Sequence, residues 1–283
     1  MRPCPCEAGC VSCNYVVISH ILGCPYNCSY CFLHTYYGKD EIVVYDNDDE
    51  LLAQVSDCME KVDQPLRIGT GQFSDSLALD RETGLSKKLI KLFAQQNKHL
   101  LELKTKSAEV DHLLDLDHKG RTVFAWSINP ERVIQSEEFE TVSLNDRVNA
   151  AQRCVAVGYR VGFHFDPIIY YVGWQDEYKQ VVDLIFSEIK AKDIAWISLG
   201  ALRHPPELKN KIACSTGEMV LGADGKMRYL ESIRIDLFKT THKYINFHSK
   251  NVSVYLCMEK EEIWAKVGVA IERLRDLVGG SVG

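Results

Sequence analysis

No run of eighteen apolar residues occurs in the 283-residue chain, so nothing in it reads as a membrane-spanning helix. The opening Met1-Arg2-Pro3-Cys4 lacks the apolar stretch of a secretory signal, which predicts a cytoplasmic protein. An excess of positive charge is missing too. Lys and Arg number 33 against 39 Asp and Glu, a formal net charge of −6, so a nucleic-acid partner would need a local basic patch. There is no internal repeat and no low-complexity linker. Cysteine, by contrast, is abundant: eleven in all, an odd count which without an export signal argues against a disulfide framework and for reduced thiols and metal ligation. Seven of the eleven fall within the first 31 residues, a crowding that scattered core thiols would not produce. Cys58, Cys154, Cys214 and Cys257 lie elsewhere and read as packing residues or free thiols.

The remainder alternates strand and helix. Apolar, β-rich runs at Tyr15–Leu22, Leu66–Thr70, Leu100–Thr105, Thr122–Ile128, Val161–Phe165 and Ile194–Leu199 predict strands. Helical periodicity covers Asp49–Val62, Ser86–Gln96, the shorter Ala108–Leu116, a segment from Ser143 to Val157 stopped by Gly158, and Asp176–Ala191. About six β–α units imply a parallel sheet and a partial, open (β/α)6 barrel. Polar residues gather at or just after the strand ends, where a parallel barrel carries its chemistry. After Leu202 the pattern changes. Arg203–Lys211 reads as a loop with helical character, and Gly222-Ala223-Asp224-Gly225 as a turn joining Met219–Leu221 to Met227–Leu230. Val252–Leu256 has strand character and Ile263–Leu277 that of a terminal helix. The expected organisation is a cysteine-rich segment 1–14, a barrel 15–202, and an α+β C-terminal extension 203–283 with a β-hairpin.

Cys24, Cys28 and Cys31 follow the first predicted strand with C-x3-C-x2-C spacing. One loop can thereby set three thiolates at three corners of an iron–sulfur cube, leaving the fourth iron open; the competing reading is a zinc knuckle. Cys6, Cys10 and Cys13 repeat the spacing, with Cys4 as a fourth thiol, but without a preceding strand. These four suit a second cluster or a tetrahedral zinc, against the plainer reading of a poorly ordered terminus with incidental thiols or a cap over the barrel mouth. His164 and Asp166 alternate with Phe163 and Phe165, so both face one side of their strand, either lining a substrate cavity or forming a buried polar pair.

Cys24, Cys28, Tyr30 and Cys31 resemble the cluster loop of radical S-adenosylmethionine (SAM) enzymes. The resemblance implies a [4Fe-4S] cluster whose open iron chelates SAM, yielding a 5′-deoxyadenosyl radical, with flavodoxin or ferredoxin as the type of electron donor. Further short strings fall in the order and spacing of the spore photoproduct lyase family: Ser74-Asp75, Leu103-Lys104-Thr105-Lys106, Val110-Asp111-His112-Leu113-Leu114, Ser127-Ile128-Asn129, Gly158-Tyr159-Arg160-Val161-Gly162-Phe163, and Gly173-Trp174 with Tyr178. That likeness, from about Tyr15 to Tyr229, implies a barrel of radical SAM type and a lyase-like activity on DNA photoproducts; separately, a monomer is expected. It assigns the amino and carboxylate ends of SAM to Ser74, Asp75 and Lys106, and the ribose and methionine surroundings to Ser127 and Asn129. Tyr30, His164 and Asp166 become candidate catalytic residues. Arg228 and Tyr229 resemble a hairpin that wedges into duplex DNA beside an extruded base, a surface hairpin being the alternative. Two positions depart from the family. Gln72 stands where a cysteine returns a hydrogen atom to the product radical, and Phe32 where a tyrosine relays the radical. An amide N–H is too strong to replace the thiol, and phenylalanine has no O–H to lose. These departures argue against SAM regeneration, and leave open a radical SAM enzyme of another chemistry or a non-catalytic iron–sulfur protein that binds nucleic acid.

Overall fold

The computed structural model describes residues 1–6, 9–37 and 41–271. Its main sheet has eight strands: β1 (Arg2–Pro3), β2 (Tyr15–Val17), β3 (Arg67–Gly69), β4 (Leu100–Thr105), β5 (Thr122–Ser127), β6 (Arg160–Ile168), β7 (Ile194–Ala201) and β8 (Val254–Leu256). From β2 to β8 the strands are parallel and lie in chain order; β1 joins β2 antiparallel at the edge. Every residue of β5 is buried, as expected when both faces of a parallel sheet are covered. Helices Leu85–Phe93, Leu144–Ala156 and Glu231–His248 pack on β4, on β5 and β6, and on β7 respectively. The second is capped as its sequence promises: Ser143 Oγ accepts from the Asp146 amide at 3.2 Å.

The expected partial barrel is present, with differences in detail. Tyr15–Leu22 is two strands, because Ile21–Leu22 leaves the sheet to pair antiparallel with Val43–Val44. Ala108–Leu116 holds only a single 3-10 turn, Asp111–Leu113. The segment Val254–Leu256 is a seventh parallel strand hydrogen-bonded to β7, so the sheet continues past residue 202 into the C-terminal region. Helix Glu231–His248 escapes the periodicity reading because its apolar positions are interrupted by polar ones; it buries only Leu237, Phe238, Thr241 and Ile245. The final helix is Glu261–Val267, ended at Gly268, and residues 272–277 of the expected helix lie outside the described residues.

The cysteine-rich start of the chain lies across the open seam of the sheet. Cys4 N–H donates to the Tyr15 carbonyl at 2.8 Å on one side; Val11 N–H donates to Glu259 at 3.0 Å and Cys10 bridges Lys260 on the other.

Candidate active site

Every parallel strand sends its C-terminal end to one cavity of about 440 Å³. The cysteine loop follows β2, Gln72–Asp75 follow β3, Lys104–Lys106 end β4, and Ser127 ends β5. Asp166 on β6, Ala201–Arg203 at the end of β7 and Cys257–Glu259 after β8 complete the wall. This convergence is a direct consequence of parallel strands in one curled sheet.

Cys24, Cys28 and Cys31 form part of that wall. Their loop is held from several sides. Gly23 adopts φ +90°, and a Cβ there would lie 2.3 Å from the Glu41 carbonyl oxygen, so only glycine fits the turn into the loop. Asn27–Cys28 pairs antiparallel with Glu138–Phe139, and Ser29 donates from both its amide and its hydroxyl to Glu137. Glu137 in turn accepts from the amides of Ala213 and Cys214 at 2.9 and 2.7 Å. Burial, with Asp75 nearby, pushes the Cys24 thiol up to about 12, and burial raises Cys28 and Cys31 as well. A coordinated metal reverses that tendency by binding the thiolate.

Ser74 lines the same cavity, and its Oγ is buried without a hydrogen-bond partner. Lys106 Nζ has its nearest carboxylate, Glu138, at 3.9 Å, and sits over the Tyr30 ring at 5.6 Å. Asp75 is more heavily used than the sequence suggests. Its Oδ1 accepts from the amides of Leu77 and Ala78 and from Thr105 Oγ1, while Oδ2 accepts from the Lys106 amide at 2.6 Å. It ties the ends of β3 and β4 together and keeps acceptor capacity only on Oδ2. Ser127 lines the cavity, whereas Asn129 lies behind its wall: its amide donates to Glu138 at 2.7 Å and accepts from Tyr178 at 2.8 Å.

The residue connecting these groups is Glu138, which sequence reasoning missed. It accepts from the Tyr30 hydroxyl at 2.5 Å and from Asn129, and lies 2.7 Å from Arg147 Nη1. Burial pushes this carboxyl up, but Lys106, Arg147 and the two hydrogen bonds outweigh it and hold it at about 2. Nothing marked it in advance. Glu137-Glu138-Phe139-Glu140 reads as a solvated acidic run, yet both Glu137 and Glu138 are fully enclosed.

The structure separates the candidate pair on β6. Asp166 lines the cavity, 3.9 Å from Lys104 Nζ, in space left by Gly200, where a Cβ would fall 2.5 Å from Asp166 Oδ1. His164 lies below it, 2.6 Å from Glu102 Oε1, and Glu102 is 3.2 Å from Arg67. That trio is a buried floor. The hairpin reading also needs correction at Tyr229. Its ring is buried, with the hydroxyl donating toward Ser215 Oγ or accepting from it at 2.7 Å, and taking the Tyr170 amide at 3.0 Å, so it is not presented to a base. The hairpin exposes Val220 and Leu221 instead. Arg228 does line the cavity, with Arg203 and Lys226, around Asp224.

Among the four N-terminal thiols, Cys4 lines the cavity and the others lie outside its wall. Cys257, read from sequence as a packing residue or free thiol, also lines it. Among the described residues no three His, Cys, Asp or Glu side chains converge closely enough for a single metal ion. A zinc ion requires sulfurs within about 4 Å of one another, given Zn–S bonds of about 2.3 Å. A cube takes one thiolate at each separate iron, so wider spacing suits it.

Residues 7–211 match the family model described as "Spore photoproduct lyase". The chain belongs to the spore photoproduct lyase family. It is 30% identical over 194 residues to the spore photoproduct lyase of Clostridium acetobutylicum, covering 68% of this chain and 57% of that one. With the Bacillus subtilis enzyme it shares 36% identity over 163 residues, 57% of this chain and 48% of the relative. The chain thus spans about half the length of the curated relatives it matches. A solved spore photoproduct lyase complexed with dinucleoside spore photoproduct superposes with TM-score 0.77 at 28% identity, covering 85% of this chain and 76% of the other. Streptococcus suis SuiB bound to S-adenosylmethionine shares the fold at TM-score 0.59 and 13% identity, over 89% of this chain and 52% of SuiB.

Proposed function

We propose that this protein is a radical SAM enzyme acting on a nucleic-acid photoproduct, with hydrogen return to the product altered from that of its relatives. The observation carrying this reading is the orphaned, buried Ser74 Oγ in the same cavity as Cys24, Cys28, Cys31 and Lys106. A buried hydroxyl without a partner and an ammonium with no carboxylate inside hydrogen-bond range fit a polar ligand that bears both an amine and a carboxylate. Cys24, Cys28 and Cys31 would hold a [4Fe-4S] cluster, and Ser74, Lys106 and the free side of Asp75 Oδ2 would hold SAM. When bound, these two groups together supply a hydrogen-abstracting radical by one-electron reduction.

The chain's own residues orient and shield. Glu138 fixes Tyr30 and Asn129 from behind the wall, while Asp75 fixes the backbone of Lys106. Among the described residues the wall carries seven Lys or Arg against three Asp or Glu, a surplus that favours a phosphate-bearing substrate despite the acidic chain. Gln72 and Phe32 both line this cavity, and neither an amide nor a phenyl ring supplies a hydrogen atom. That pair favours a second reading, in which SAM is consumed as oxidant on a different substrate. A low-potential donor of the flavodoxin or ferredoxin type, a cytoplasmic setting and a monomeric state complete the proposal. Among the described residues no helix is long and apolar enough to cross a membrane.

The test is anaerobic incubation of the reduced, reconstituted enzyme with SAM and irradiated DNA, following lesion loss and 5′-deoxyadenosine together. Lesion loss that requires Ser74 and Lys106 supports the first reading. SAM cleavage without lesion loss supports the second. Absence of SAM binding rejects both.

A further inference from the structure

We infer that Lys226 and Arg203, with Arg228 beside them, form a phosphate subsite in the cavity, which takes the phosphodiester joining the two nucleosides of the substrate. The subsite rests on the nucleic-acid reading above and adds to it a group that the substrate must carry at the lesion itself.

Its geometry begins in a turn. Gly222 N–H donates to the Lys226 carbonyl at 2.8 Å, and Gly225, at φ +73°, helps close the loop between Met219–Leu221 and Met227–Tyr229. A Cβ on Gly222 would fall 2.7 Å from Asp224 Oδ1 and 3.0 Å from Arg228 Nε, so the glycine makes room for the Asp224 carboxylate beside the arginine. There Asp224 accepts from Arg203 Nη1 at 3.1 Å and lies 3.6 Å from Arg228 Nη2. Arg203 and Arg228 stand directly opposite each other on antiparallel strands, a placement that like charges make unfavourable. Their side chains are only 17% and 13% exposed, so water screens the repulsion poorly.

Lys226 adds a third positive charge. Its ammonium sits over the Phe32 ring at 5.1 Å, and among the described residues it makes no ion pair. Burial and the neighbouring Arg203, with a smaller effect of Arg228, hold this ammonium below the ordinary lysine range despite Asp224. Three cations around one carboxylate leave a formal surplus of two positive charges. A bound anion relieves that surplus, and guanidinium and ammonium donors together suit the oxygens of a phosphate. Phe32 directly follows Cys31, and all three cations line the cavity that holds the cysteine loop. A phosphate at Lys226 is therefore next to the reacting part of the substrate, where the link between its two nucleosides lies, and not out along a flanking duplex.

The subsite is tested without turnover. Equilibrium binding to the reconstituted holoenzyme, with no reductant, is measured for the photoproduct as a dinucleotide and as the dinucleoside that lacks the phosphate. At low salt the dinucleotide is expected to bind about tenfold more tightly, the worth of a hydrogen bond to a charged group. Lys226→Gln and Arg203→Gln are each expected to reduce that preference while leaving dinucleoside affinity unchanged, which also shows that the variants are folded. Lys226→Arg is expected to restore part of it. Equal affinity of the wild type for the two forms overturns the subsite and leaves the nucleic-acid reading standing. So does a preference that both glutamine variants retain in full. Binding of neither form overturns the subsite and the nucleic-acid reading together.

Discussion

At the scale of single residues, the site divides into groups that await a ligand and groups already spent on the protein. Ser74 and Lys106 belong to the first class. Ser74→Ala and Lys106→Ala are each expected to weaken SAM binding about tenfold or more, the loss of a hydrogen bond to a charged group being worth about 1.5–3 kcal/mol; equilibrium dialysis with the reconstituted protein measures it. Asp75 and Glu138 belong largely to the second. Glu138→Ala leaves Arg147 and Lys106 facing an empty site, and such broken buried pairs cost about 3–5 kcal/mol, readable as a lowered denaturant midpoint. Glu102 and Glu138 are both held at about 2, below an ordinary 4.5. Their folded values are depressed, so the stability they contribute is complete above 4.5 and is lost as pH falls toward 2. Acid titration of tryptophan fluorescence is expected to show unfolding in that window, with a flatter profile in Glu138→Gln.

At the scale of elements, the hairpin of Met219–Leu221 and Met227–Tyr229 separates anchor from tip. Tyr229 anchors it through two hydrogen bonds and contact with the Tyr170 ring at 6.3 Å between centroids. Tyr229→Ala is therefore expected to destabilise by about 3–5 kcal/mol, as other large-aromatic truncations do. Leu221→Ala removes an exposed side chain and is expected to stay within about 0.5 kcal/mol; chemical denaturation of the two variants checks the contrast. The element reading from sequence succeeded where the signal was local. Leu100–Thr105 has the observed bounds, and Ser143 caps its helix as expected. It failed where tertiary pairing chose the element, as when Ile21–Leu22 left the sheet for Val43–Val44, or where mixed polarity concealed helix Glu231–His248.

At the scale of the whole molecule, the parallel sheet concentrates cationic side chains at one rim of a chain whose net charge is −6. Binding to irradiated duplex DNA is expected to weaken with added salt, and Arg203→Ala or Arg228→Ala to reduce the slope of log K against log salt by about one each. A filter-binding series across salt concentrations measures both. The same rim explains why distant segments, the strap before residue 14 and the segment after β8, line one cavity through Cys4 and Cys257.

The sequence by itself determined the cysteine loop, the strand ends that carry Ser74, Asp75 and Lys106, and the departures at Gln72 and Phe32, because each lies within a few residues of its own structural cause. Only the tertiary structure decided that Glu138 sits behind Tyr30, 108 positions away, that His164 lies in the floor and Asp166 in the wall, that Tyr229 is an anchor, and that Cys257 lines the cavity. The physical reason is the same in each case: whether a polar side chain is solvated, buried or paired depends on which strands the curled sheet brings beside it, and local periodicity carries no record of that.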